Sequence, residues 1–229
     1  MLLRQLERHT FDAQNLSPQS VVIDLGANVG GFAHGIVQQF GCRCLAVEAN
    51  PQLCRKIQPD PRLTVYNLAV AEKSGRLPFY VADNPEASSL LTGAAAGAQA
   101  RIEVESIRLD ELVQRENLER VDLIKFDIEG AEIQVLDSCS DAFLQSISQL
   151  TVEFHDLVGI TARATVERVV ARLQDLGFYT IKMSRSAWGD TLFINRRLTS
   201  ASPLQLMWAR HVTRNWWGLK RILARARRQ

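Results

Sequence analysis

The stretch Val21-Val22-Ile23-Asp24-Leu25-Gly26-Ala27-Asn28-Val29-Gly30-Gly31 constrains this chain more than any other. A short apolar run ends in Asp-Leu-Gly, a glycine-rich turn follows, and a helical pattern continues through His34, Val37 and Gln38. Strand, tight loop and helix in that order are the building unit of an α/β sheet. Gly26 and Gly30 admit a ligand or a second backbone where a Cβ would collide. The helix behind the loop offers unpaired N–H groups. A ligand held by such a unit sits at the carboxyl edge of an open sheet.

The spacing G-x-N-x-G-G is not the dinucleotide pattern G-x-G-x-x-G, and alone it fits an empty tight turn equally well. The next apolar run shifts the balance. Cys44-Leu45-Ala46-Val47 ends at Glu48, about 20 residues beyond the first loop, where an acidic side chain accepts hydrogen bonds from ribose hydroxyls. The pattern GxxxxGK[ST] is absent, which excludes a P-loop. A nucleoside site without a phosphate cradle points to S-adenosylmethionine.

Six segments, the first loop and the Glu48 strand end among them, carry a family resemblance. VIDLGANVGGFA, AVEANP, NLAVAEKSG, LDEL, LIKFDIEGAEIQVL and LTVEFH occur in the order and spacing of the FkbM family of class I methyltransferases. They cover roughly residues 20–155, and the long, charged IKFDIEGAE is the most specific. The resemblance implies a doubly wound, mostly parallel, seven-stranded α/β sheet with its last strand antiparallel. It also implies O-methylation, commonly of a sugar hydroxyl on a glycan, glycolipid or natural product.

The periodicity agrees with that fold. Strands are expected at 20–25, 43–48, 63–68, 121–126, 150–154, 178–183 and 191–195. Short extra strands are expected at 76–82 and 101–108. Helices are expected at 2–10, from Gly31 to Phe40, at 50–57, 110–116, 127–137 and 165–176. Residues 84–100, rich in Ala, Gly and Ser, read as a surface loop or a lid over the acceptor. The catalytic domain spans 1–198, and 199–229 form a basic helical extension.

Asp24, Gly26, Ala27, Asn28 and Gly30 are the expected lining of the methionine end of the cofactor. Glu48 is expected on the ribose, and Asn67 and Ala69 against the adenine. Asp127 occupies the position that, by the resemblance, faces the transferred methyl group. On the acceptor side Asp127, Glu129 and Glu132 cluster with Glu153, His155 and Asp156. A hydroxyl acceptor must shed a proton, and His155, neutral at pH 7 if its pKa stays near about 6.5, is the expected general base. Asp127 and Glu129 complete the expected catalytic set. The same oxygens would suit Mg²⁺ or Ca²⁺, but aligning sugar hydroxyls needs no metal, and none is assigned.

Charge adds one asymmetry. Of 27 Lys and Arg residues, nine follow Asp190, the last acidic residue; the body up to and including it carries 18 against 25 acidic side chains. In the tail Leu204, Met207, Trp208, Val212, Trp216, Leu219 and Leu223 recur at helical spacing. A basic, Trp-bearing amphipathic helix fits an anionic membrane surface, the chain's own domain, or a second copy in a homo-oligomer. No nucleic-acid motif accompanies the charge. No run of about 18 apolar residues exists to span a bilayer. Arg4 interrupts the first apolar residues too soon for a secretory signal, so the expected location is cytoplasmic, or peripheral to a membrane through the tail. The four cysteines lack metal or redox spacing. A non-catalytic nucleoside-binding protein or a membrane-recruited interaction module on the same fold is the alternative. The absence of a D/N-P-P-Y motif after the fourth core strand counts against the common amino-nitrogen methyltransferases.

Overall fold

Seven strands form the central sheet of the computed structural model, which describes residues 1–82, 98–156, 162–184 and 187–213. In chain order the elements are β1 (Leu3–Leu6), β2 (His9–Asp12), β3 (Val21–Leu25), α1 (Gly31–Phe40), β4 (Arg43–Val47), α2 (Pro51–Cys54), β5 (Leu63–Tyr66), β6 (Ala69–Val70), β7 (Gly75–Ala82) and β8 (Ala98–Ile107). There follow α3 (Leu109–Arg115), β9 (Leu123–Phe126), α4 (Glu132–Ser138), α5 (Asp141–Gln145), β10 (Gln149–Val152), α6 (Arg163–Asp175), β11 (Phe178–Lys182), β12 (Thr191–Asn195) and α7 (Pro203–Trp208).

The central order is β5-β4-β3-β9-β10-β12-β11. Every neighbouring pair is parallel except those made by β12, which runs against both β10 and β11. This is the expected doubly wound sheet. Its strands are apolar on both faces because helices cover both. On one face Phe32, Ile36 and Val37 of α1 pack with Val22, Cys44, Ala46 and Leu123. On the other, Ile23, Leu45, Ile124 and Leu150 meet Leu112 of α3, Leu136 of α4 and Val169 and Leu173 of α6. The four cysteines are unpaired, and Cys42, Cys44 and Cys139 are buried. A smaller sheet, β6-β8-β7, is inserted between β5 and α3. Of the expected 84–100 loop, 98–100 belong to β8 and the rest lies outside the described residues.

Two expectations fail for local reasons. Residues 2–10 are not a helix but the hairpin β1–β2, with Leu6 opposite His9. Its two turn residues, Glu7 and Arg8, both have positive φ (44° and 70°), the conformation of a type I′ turn. Such turns usually announce themselves by Asn-Gly, and this one does not. The second correction is that α4 opens at Glu132 rather than Asp127. Residues 127–131 form a loop through positive φ at Glu129 and Gly130. These two departures shape the site.

The extension begins against the domain. Ser202 and Gln205 form a capping box on α7, and Leu206 and Ala209 are buried with Ile181, Met183, Leu192 and Ile194. A π-helical turn continues to Thr213. Trp216, Leu219 and Leu223 lie outside the described residues. Among the described residues no helix is long and apolar enough to cross a membrane.

Candidate active site

Strand order reverses between β3 and β9, and open α/β sheets bind ligands at such a point, beyond the carboxyl ends of the strands. The main pocket lies there. Of the expected residues, Gly26, Asn28, Glu48, Ala69, Asp127, Glu129 and His155 line it. Asp24, Ala27, Gly30 and Asn67 do not. Asp24 is fully buried beneath the floor, and Ala27 is buried in the core. Gly30 shapes the turn into α1 with φ 86°, and a Cβ there would meet the Ile57 side chain at 2.9 Å. Asn67 turns its amide onto the Glu48 and Ala49 carbonyls at 2.8 and 3.1 Å, tying two strand ends together. Asp156 accepts the Trp188 N–H at 3.0 Å and is not in the pocket wall.

The β3 loop is tight. A Cβ on Gly26 would lie 1.8 Å from the Asp127 carbonyl oxygen, so only glycine fits against the end of β9. The Glu48 carboxylate accepts the Asn28 N–H at 2.8 Å and the Asn50 N–H at 2.7 Å. Burial raises its pKa against those two bonds. Asn28 Oδ1 is buried, accepts no hydrogen bond among the described residues, and belongs to a residue of the pocket wall. Leu53, Leu68, Val70 and Phe79 add apolar surface. A carboxylate, an unused amide oxygen and an apolar wall fit a nucleoside. A hydrogen bond to a charged group is worth ~1.5–3 kcal/mol, so if Glu48 holds the ribose, Glu48→Ala is expected to raise the Kd for S-adenosylmethionine about 10- to 100-fold. Calorimetric titration checks this, and an unchanged Kd removes Glu48 from the cofactor site.

Lys125 lies beneath the pocket, and the sequence reading assigned it no role. Its ammonium is 3.0 Å from Asp24 Oδ1 and 3.5 Å from Asp127 Oδ2. It donates to the Gly26 carbonyl at 2.8 Å. Burial disfavours the charge, but Asp24 and Asp127 together raise the lysine pKa.

The acceptor side is a polar cluster. The buried Glu132 places Oε1 2.9 Å from the Ile128 N–H and 3.2 Å from the Gly130 N–H, fastening the 127–131 loop. The same oxygen is 3.2 Å from His155 Nδ1. His155 Nε2 then faces Glu129 Oε2 at 3.4 Å and Asp127 Oδ1 at 3.9 Å. From the hairpin, His9 Nε2 donates to Asp127 Oδ2 at 3.3 Å and lies 3.8 Å from Glu153. His9 and the pocket residue Arg8 were missed because their hairpin was read as a helix.

These surroundings set the charges. Burial disfavours the His155 imidazolium, yet Glu132, Glu129 and Asp127 together push its pKa up to about 9. These carboxylates favour the imidazolium over the neutral imidazole expected at pH 7. Burial raises Glu129 to about 7, opposed by His155 and reinforced by Asp127, Glu132 and Glu153. Burial also opposes ionisation of Asp127, but His9 and Lys125 outweigh it and hold the carboxyl well below the usual range. Two overlapping triads, His9–Asp127–Glu153 and Asp127–Glu129–His155, bring ligand-type atoms within 4.8 Å of one another. The two imidazoles and Lys125 already pair with these carboxylates.

Comparisons with known proteins agree with this architecture. The family model described as "Methyltransferase FkbM domain" matches residues 24–179. Methyltransferase sdnD of Sordaria araneosa is 26% identical over 221 residues, covering 81% of this chain and 83% of that protein. The 31-O-demethyl-FK506 methyltransferase FkbM of Streptomyces tacrolimicus is 27% identical over 207 residues, covering 72% and 75%. The 2-O-methyltransferase NoeI of Sinorhizobium fredii is 27% identical over 138 residues, covering 52% and 57%. With more than half of its length matched by that model, the chain belongs to the FkbM family of S-adenosylmethionine-dependent methyltransferases.

Proposed function

We propose that the chain methylates a hydroxyl oxygen on a sugar or another hydroxyl-bearing acceptor. The observation that carries this is the cluster of Asp127, Glu129, Glu153 and His155 at the switch point, beside the nucleoside-like half of the pocket. Carboxylates there align hydroxyl groups and take up a proton. Two relatives named as O-methyltransferases support the same reading. When bound, S-adenosylmethionine supplies an electrophilic methyl group. Glu48, Gly26 and Asn28 would hold it, with Asp127 at the reacting end. The chain's remaining task is positioning and proton removal, and good orientation alone supplies up to ~7–11 kcal/mol.

The proton goes to Glu129 rather than to His155. Glu129 sits in the pocket wall with its pKa near the working pH, where a general base is most effective. His155, already cationic, orients Glu129 and offsets the surrounding negative charge. A bell-shaped pH dependence follows. Activity rises through about 7 as Glu129 ionises and falls through about 9 as His155 loses its proton. Glu132→Gln removes a charge that raises the His155 pKa, so the upper limb moves down toward about 6.5. A kcat/KM profile of the variant checks this, and an unmoved upper limb would remove His155 from that limb.

The test of the function is transfer of labelled methyl from S-adenosylmethionine to a panel of sugars, glycolipids and hydroxylated macrocycles, with amines and carboxylic acids as controls. Label on oxygen of a hydroxyl-bearing acceptor is the expected result. Label only on amines or carboxylates overturns it. Cofactor binding without turnover on any acceptor favours the non-catalytic alternative.

A further inference from the structure

Large apolar side chains exposed among the described residues are concentrated in one place. Leu204, Met207, Trp208 and Val212 all belong to the helical stretch of α7 and its π-helical turn, and Leu204 and Trp208 are 68% and 61% exposed. The opposite side of that stretch is already satisfied, since Leu206 and Ala209 are buried against β11 and β12. A helix on the surface of a domain needs one apolar stripe, and this one has two. The outward stripe continues onto the hairpin. Leu204 and Trp208 share a groove with Met1 and Leu3. A contiguous exposed apolar surface of this kind marks an interaction site.

Charge selects the partner. No acidic side chain follows Asp190, and of the nine Lys and Arg residues after it Arg196, Arg197 and Arg210 lie among the described residues. Arg210 is exposed within the stretch, over the Tyr179 ring, and Arg4 is exposed on the hairpin. A second copy packed face to face would set these cations against their own duplicates. An anionic bilayer surface instead accepts the apolar stripe at its acyl boundary, Trp208 at the interface, and the cations among its headgroups.

We propose that the outward face of residues 204–212, with Met1 and Leu3, docks the enzyme on an anionic lipid surface. The hairpin joins this face to the pocket. Leu3 lines the groove and Arg8 the pocket wall, five residues apart, so roughly 17 Å of chain at most separates them.

The test is co-sedimentation of the full chain with phosphatidylcholine vesicles, with and without phosphatidylglycerol, beside the double variant Leu204→Glu/Trp208→Glu. Both positions are exposed, so the variant is expected to keep its fold, checked by unchanged affinity for S-adenosylmethionine. The expected result is binding only to vesicles containing phosphatidylglycerol, weakened by added salt and roughly tenfold or more by the double variant. Wild type that ignores these vesicles, or a folded variant that binds as well as wild type, overturns the proposal. So does a stable wild-type dimer that the variant dissociates, which would assign the face to a second copy.

Discussion

Lys125→Met is expected to lower the unfolding free energy by about 3–5 kcal/mol, the cost of breaking a buried ion pair from one side. Asp24 is fully buried. Its charge is offset by the Lys125 ammonium 3.0 Å away. Methionine matches the lysine stem in volume, so packing is nearly conserved and the loss is electrostatic. The variant also frees the Gly26 carbonyl, which Lys125 holds at 2.8 Å. Denaturant titration measures the change. A loss below about 1 kcal/mol would mean that water reaches Asp24, against its burial here.

One control identifies the cause. Asp24→Leu added to Lys125→Met removes the orphaned charge, and most of the lost stability returns. A deficit that persists in the double variant would point to packing instead.

Much of the scaffold was legible because it depends on local signals. The β3 loop, Gly41 ending α1, the Asn50-Pro51 start of α2 and the period of Val166, Val169, Val170 and Leu173 in α6 each act within a few residues. The seven-stranded sheet with its last strand antiparallel came from the resemblance, and the order of its strands did not follow from periodicity, which does not rank neighbours. What stayed hidden depends on register and on remote partners. Lys125 interrupts an apolar strand and Asp24 another, and the parallel register sets them directly opposite. Each residue was visible alone; the pairing was not. His9 is 118 positions from Asp127 and reaches it only because Glu7 and Arg8 take a turn that their identities do not advertise. The His155 charge is hidden for a related reason: its carboxylate neighbours are recognisable one by one in the sequence, but Glu132, Glu129 and Asp127 act on its pKa together.

Glu129→Gln is expected to reduce kcat/KM by about 10²–10⁴, the usual contribution of a positioned general base. Glutamine keeps the shape and some hydrogen bonding but does not accept the hydroxyl proton at neutral pH. Cofactor affinity should stay within about twofold, because Glu48 and the β3 loop carry that half of the pocket. The rise in activity through about 7 should vanish in Glu129→Gln and persist in His155→Gln. The reverse assignment of limbs would return the base role to His155. The backbone gives an independent reason to look at this residue. Glu129 holds φ at 52°, a conformation costly for a residue with a Cβ. Glu129→Gly removes that strain at the entropic cost of a glycine, so stability should change by no more than about 1 kcal/mol. If activity collapses while stability holds, the strained backbone serves to aim a carboxylate into the pocket. If stability falls by several kcal/mol with activity retained, Glu129 belongs to the scaffold and the proton must leave by another route.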